Sequence, residues 1–187
     1  SNSYSFKHAL VHEVAYQSLL RSTRQHYHGH VASVLERAFR HIADAEPELM
    51  AHHFTEAGRA GQAIPYWIRA AERAAEQSAN LEAIAQFDKA LSLTEGMPAT
   101  EDRTRQEFRC SLGLISPLMA AKGYSAPEVE RTVIRAFDLA KSIGSSPEIF
   151  PVLYGQYAFH QVTGRVAKSL SLGEQFMELA SRQNDDT

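Results

Sequence analysis

Apolar side chains recur along this chain every three or four residues, the spacing that gathers them on one side of an α-helix. Leu10, Val14 and the Leu19-Leu20 pair, with Val11 and Ala15 beside them, predict a helix over residues 7–21. Tyr27, Val31, Val34, Leu35, Ala38, Phe39 and Ile42 predict an amphipathic helix over residues 23–43, with Glu36, Arg37 and Arg40 facing water. Glu46-Pro47-Glu48 opens the next one, because proline is tolerated in a first turn and acids suit the positive helix end. Its stripe is Leu49, Met50, His53, Phe54 and Ala57, and Gly58 ends it. Residues 60–79 carry Ile64, Trp67, Ile68, Ala71, Ala74 and Ala75, a face of small side chains that permits close packing on more than one side. Asn80 is placed to cap a further helix, with Leu81, Ile84, Phe87, Ala90 and Leu91 as its buried set and Gly96-Met97-Pro98 as its stop.

The second half repeats the habit. Phe108, Leu112, Ile115 and Met119 give one helix, Gly123 to Pro127 a loop, and Val129, Val133, Ala136, Phe137 and Ala140 the next, stopped by Gly144-Ser145-Ser146-Pro147. Leu153, Tyr157 and His160 follow, then Gly164, then Val166, Leu170, Gly173, Phe176, Met177 and Ala180. No alternating run rich in Val, Ile and Thr reads as a strand. Within this pattern, Gly58, Ala63, Trp67 and Ala70 share their spacing with Ser78, Ala83, Phe87 and Ala90. A turn glycine, a small residue five later, an aromatic and another small residue resemble the inter-helix turn and second helix of a tetratricopeptide repeat. The step from Ala63 to Ala83 is 20 residues, well short of the roughly 34 of an ordinary repeat. Residues 60–79 must therefore close one hairpin and open the next. Val129 and Ser169 lie 40 apart, closer to longer helical repeats. The expected fold is all-α, a tetratricopeptide-like α-solenoid of about nine antiparallel helices, in which stacking supplies the core that a single hairpin lacks.

Composition narrows the function classes. At 187 residues, 44% hydrophobic and 22% charged, the chain can bury a core but cannot hold two full catalytic domains. A net charge of −3 offers no global positive field for nucleic acid or an anionic membrane. The charge is uneven, +3 over residues 1–43 and −6 over residues 44–187, which reads first as solvated helix faces and, as the alternative, as a docking surface for an upstream module on the N-terminal side. Arg21, Arg24, Arg37 and Arg40 are too few for a DNA-binding patch. Cys110 stands alone, which excludes an intrachain disulfide and a Cys-rich zinc site and fits a reducing cytoplasm. No apolar run reaches the ~18 residues of a membrane span. The opening Ser1-Asn2-Ser3, without an initiator Met, reads as the edge of an excised piece.

One stretch carries a broader likeness. Phe6-Lys7-His8-Ala9-Leu10-Val11-His12-Glu13-Val14-Ala15-Tyr16-Gln17-Ser18-Leu19-Leu20, followed by Arg24 and by His28 ahead of Val31-Ala32-Ser33-Val34-Leu35-Glu36, resembles the segment that joins an AAA/STAND-type signalling ATPase module to its helical repeats. Residues 47–58 and 121–130 resemble later segments of the same group. The resemblance implies residues 1–45 as a helical connector behind an ATPase module, and residues 46–187 as a tetratricopeptide-like repeat region. It also implies a bacterial parent, often fused to an adenylate or guanylate cyclase domain or acting as a transcriptional regulator, whose nucleotide-binding residues lie outside this chain.

Candidate chemistry within the chain is sparse. No phosphate-cradling Gly-x-x-x-x-Gly-Lys-Ser/Thr loop, Gly-x-Gly-x-x-Gly or Gly-x-Ser-x-Gly occurs. Nine histidines are the compositional surprise. His8 with His12, and His26 with His30, stand four apart on one helical face, and His52-His53 is close to Glu56, yet a zinc site wants a third or fourth convergent ligand. Surface or packing roles are therefore expected for the histidines. Trp67, beside Tyr66, is expected to fill the space between paired helices, and Cys110 to be a small buried hydrophobe. Glu128 and Glu130 suit a solvated helix start, and Ser125 caps that helix or belongs to its loop. The sequence thus points to no catalytic, cofactor-binding or metal residue. The reading it favours is a non-enzymatic interaction or regulatory region that binds a protein or peptide, or restrains its parent's own ATPase module, without nucleic acid or membrane. A small-molecule sensor of an ATP-dependent transcriptional regulator is the alternative.

Overall fold

The computed structural model describes residue 14, residues 16–143 and residues 149–185. Among these the chain is all-α, and nine helices follow one another: α1 (Arg21–Ala38), α2 (Arg40–Ala45), α3 (Pro47–Glu56), α4 (Ala60–Glu76), α5 (Asn80–Glu95), α6 (Glu101–Lys122), α7 (Pro127–Ile143), α8 (Ile149–Val162) and α9 (Val166–Asp185). From α3 onward each packs chiefly on its neighbours in sequence; α1 packs mainly on α3, past the short α2, α4 also reaches α6, and α6 reaches α8. The core runs through the pile without interruption, from Ala32 through Met50, Phe54, Ile64, Ile68 and Phe87 to Phe108, Val133 and Val152.

The turns explain why the helices double back. At Gly58 (φ +70°) the N–H donates to the Thr55 carbonyl and the Arg59 N–H to the Phe54 carbonyl, both at 2.9 Å, closing α3 in a left-handed cap that satisfies its last carbonyls. The same pair of bonds closes α4 at Ser78 (φ +60°) and α8 at Gly164 (φ +70°). The small residue five positions later is buried each time: Ala63, Ala83 and Ser169. The spacing that links Gly58 with Ser78 in the sequence is thus a repeated turn, with serine standing where glycine costs least. Because that turn's bonds run through Ala79, Asn80 is the first residue of α5 and not its cap; Ala79 occupies the cap position, with no side-chain hydrogen bond. A threonine does cap α6, Thr100 Oγ1 accepting from the Arg103 N–H at 3.3 Å.

Other expectations are corrected. The helix placed over residues 7–21 falls mostly outside the described residues; within them residues 16–18 are helical and the chain bends at Leu19 before α1 begins. The segment 23–43 is not one helix, because Phe39 (φ −131°) breaks it and re-aims the following turn so that Ala43 enters the core. Much of the apolar stripe assigned to residues 23–43 is turned outward: Tyr27 is 56% exposed and Val31, Val34 and Phe39 are exposed as well, while Leu35 packs against the core. Gly29 and Ala32 are buried instead, a flatter face that brings α1 close to α3. Leu81, expected inside, is 75% exposed, while Gln86 and Thr94 on the same helix are buried. Val166, Leu170 and Met177 of α9 are exposed too. The stop assigned to residues 144–147 and the side chains of Phe176 and Ala180 lie outside what is described.

Candidate functional site

One hollow crosses three helices. The α2–α3 junction, α4 and α5 enclose a groove of about 510 Å3, floored by Ala70 and Ala74, whose small side chains keep α4 from filling it. Glu46, Glu48 and Glu82 stand on its walls, with His52 at its edge. The one arginine lining it, Arg73, is engaged with the backbone carbonyl of Ala45. Gln86 also lines this groove, is only 4% exposed, and donates from Nε2 to Glu82 at 3.2 Å. Its Oε1 is buried without a hydrogen-bond partner, a state that costs roughly 1–3 kcal/mol and marks a place where a donor is wanted. Carboxylates on the walls favour groups that donate hydrogen bonds or carry positive charge, and the buried Gln86 oxygen can accept from such a group once its side chain turns toward the groove.

Beside it, α1 and α3 bring together a cluster that no sequence spacing announces. The Nδ1 atoms of His28 and His53 stand 2.8 Å apart, one donating to the other, and Tyr16 is hydrogen-bonded to His28 Nε2 at 2.7 Å. The His52 ring centroid lies 5.6 Å from that of His28, and the Arg24 guanidinium sits over the Tyr16 ring. Burial lowers the pKa of His28 below its ordinary 6.5, reinforced by His52 and Arg24 and opposed by Glu56. Burial also lowers that of His53, with His28 and His52 adding repulsion. A single added proton on His28 leaves it donating both to His53 and to the Tyr16 oxygen, whereas a second on His53 would set two N–H groups against each other. The three groups therefore form a short hydrogen-bonded chain that accommodates a first proton more readily than a second. No three His, Cys, Asp or Glu side chains among the described residues are placed to hold a metal ion.

The remaining singled-out residues are placed as follows. His8 and His12 lie outside the described residues. His26 and His30 share one exposed side of α1 and, with Arg37 and Arg59, line a separate hollow of about 370 Å3. Trp67 is buried between helices; its Nε1 donates to Thr55 Oγ1 at 2.9 Å and the Lys89 ammonium lies 4.3 Å from its ring centre. Tyr66 stacks on Phe54 and donates to Glu36 across to α1. Cys110 is buried and its thiol is pushed up to about 12 by desolvation, so it is not a nucleophile at neutral pH. Glu128 pairs with Lys122 at 2.8 Å and Glu130 with Arg165, both tying helix ends together. Ser125 is exposed in the α6–α7 loop. Gln86 and the His28–His53 contact were missed by sequence reasoning, since each depends on which helix faces which; the abundance of histidine was the one available signal.

No protein-family model matches the chain, and no solved structure matches it. It is similar to an uncharacterized protein of Rhizobium meliloti (strain 1021), 24% identical over 155 residues that cover 82% of this chain. The chain spans about 15% of the length of that protein.

Proposed function

We propose that this chain is a non-catalytic binding and regulatory stretch of a larger signalling protein, a tetratricopeptide-like solenoid whose α3–α4–α5 groove receives a protein or peptide partner. The observation that carries the reading is the buried, unpartnered Oε1 of Gln86 in a groove of about 510 Å3 with carboxylates on its walls. A partner presenting N–H donors or a basic side chain would pair with the glutamates, and with that oxygen once the Gln86 side chain turns toward it. In the parent, residues 1–45 would form the connector behind an AAA/STAND-type ATPase module and residues 46–187 the repeat region, in the cytoplasm. Partner binding regulates output only if it favours one arrangement of repeats and ATPase over another. The limited share of the similar Rhizobium protein that this chain spans is in keeping with a part of a larger whole.

The groove volume also lies within the range of small-ligand sites, which favours as second reading a metabolite sensor in an ATP-dependent transcriptional regulator. Gln86→Leu separates binding from folding. It removes the orphan acceptor at the expense of one exchange with Glu82, so thermal stability should hold or rise by about 1 kcal/mol. Partner-dependent control of the full-length parent's ATPase or cyclase output should be lost. Unchanged control in the Gln86→Leu parent, or in a parent lacking this region, would defeat the proposal; a ligand-dependent thermal shift with small molecules alone would favour the sensor.

A further inference from the structure

The α8–α9 hairpin leaves an apolar hollow on its outer side. Leu153, Tyr154 and Tyr157 of α8 and Leu172, Gly173 and Met177 of α9 enclose about 310 Å3, with Tyr154 66% and Met177 67% exposed. An adjoining hollow of about 590 Å3 adds Val166 and Leu170, with Gln161 and Glu174 as its polar margin. Apolar surface this continuous marks an interface.

The stack itself shows what fits there. α6 contacts α5 and α4, and α8 contacts α7 and α6, so alternate helices settle into the groove of the preceding hairpin. Each brings a glycine to the contact. A Cβ on Gly113 of α6 would stand 2.3 Å from the Phe87 ring of α5, and one on Gly155 of α8 would meet Ile115 of α6 and Val133 of α7 at 3.9 Å. The α8–α9 hollow is the next groove in that series.

We propose that it is the docking site of one further amphipathic helix of the same polypeptide, carrying a small residue at its centre and contacting α9 and α8 as α8 contacts α7 and α6. The length of the similar Rhizobium protein, of which this chain spans 15%, leaves room for such a helix in cis. A second copy offers a poorer one, because α6 and α8 are already seated and α1, whose Tyr27, Val31 and Val34 face outward, has its glycine Gly29 buried inward. The inference rests on the order of stacking, not on what the α3–α5 groove binds, so a failed partner titration leaves it standing.

Hydroxyl-radical footprinting of the 187-residue chain and of the natural polypeptide extended beyond Thr187 tests it. Oxidation of Tyr154 and Met177 should fall several-fold in the longer polypeptide while Tyr124, in the α6–α7 loop, keeps its rate. The pair Tyr154→Asp and Met177→Asp should leave the melting temperature of the 187-residue chain unchanged and lower that of the longer one by several degrees. Equal oxidation in both, a reading frame without an amphipathic helix just beyond Thr187, or a dimer of the 187-residue chain that protects these residues and is broken by Met177→Asp would overturn it.

Discussion

Ser78 holds a left-handed backbone that glycine adopts freely, as Gly58 and Gly164 do in the same turn. Ser78→Gly should therefore raise the unfolding free energy by about 1 kcal/mol, read as a higher urea midpoint with unchanged slope; a lower midpoint would mean the serine hydroxyl does something the turn needs. The histidine cluster sets a pH dependence of definite sign. His28, His53 and His160 all have pKa values lowered in the fold, chiefly by burial, so the unfolded chain binds protons first as the pH falls. Stability is complete above about pH 6.5, the ordinary histidine value, and declines below it until the folded forms titrate as well. Urea midpoints measured across that range should show the decline, and the double substitution His28→Gln, His53→Gln should make it shallower, leaving the share of His160. A midpoint that rose on acidification would contradict the burial of these rings.

At the scale of elements, contact between α5 and α6 depends on the absence of a side chain at Gly113. Gly113→Ala forces the Phe87 ring or the helix to shift, and overpacking of this kind costs about 1–3 kcal/mol despite the gain in helix propensity. The melting temperature should fall, and Phe87→Leu in the same chain should recover part of the loss by vacating the ring's space. Helix existence and most helix ends were legible in the sequence, because Gly58, the 96–98 stop and the 123–127 loop act through local backbone chemistry. Which face each helix buries was less so. In α1 the large apolar residues Tyr27, Val31 and Val34 read as the inner stripe, yet close approach to α3 selects Gly29 and Ala32. Phe39 breaks a helix with neither Pro nor Gly to announce it, since the break serves the burial of Ala43. Gln86 has no place in the apolar stripe of Ile84, Phe87 and Ala90, and only the packing of three helices buries it and makes its oxygen an orphan.

For the molecule as a whole, stability should behave as a sum of neighbour-to-neighbour contacts, since from α3 onward each helix is held mainly by those adjacent in the chain. A chain ending after Ile143 keeps α1 to α7 but uncovers the α6 and α7 surfaces on which α8 rests, among them Ile115 and Val133. It should remain helical by circular dichroism and unfold at a lower urea concentration with a smaller slope, because less surface is exposed on unfolding. Loss of all helicity would instead mean a single indivisible core. The exposed ion pairs, such as Arg69 with Asp44 and Arg105 with Glu101, contribute little to this total, and added salt should change it only slightly. Trp67, the chain's one tryptophan, is wedged where α3, α4 and α5 meet, its indole N–H held by Thr55 and its ring beneath the Lys89 ammonium. Any ligand that spreads or tightens those three helices alters the polarity around that ring, so intrinsic fluorescence reports occupancy of the neighbouring groove without a dye or label.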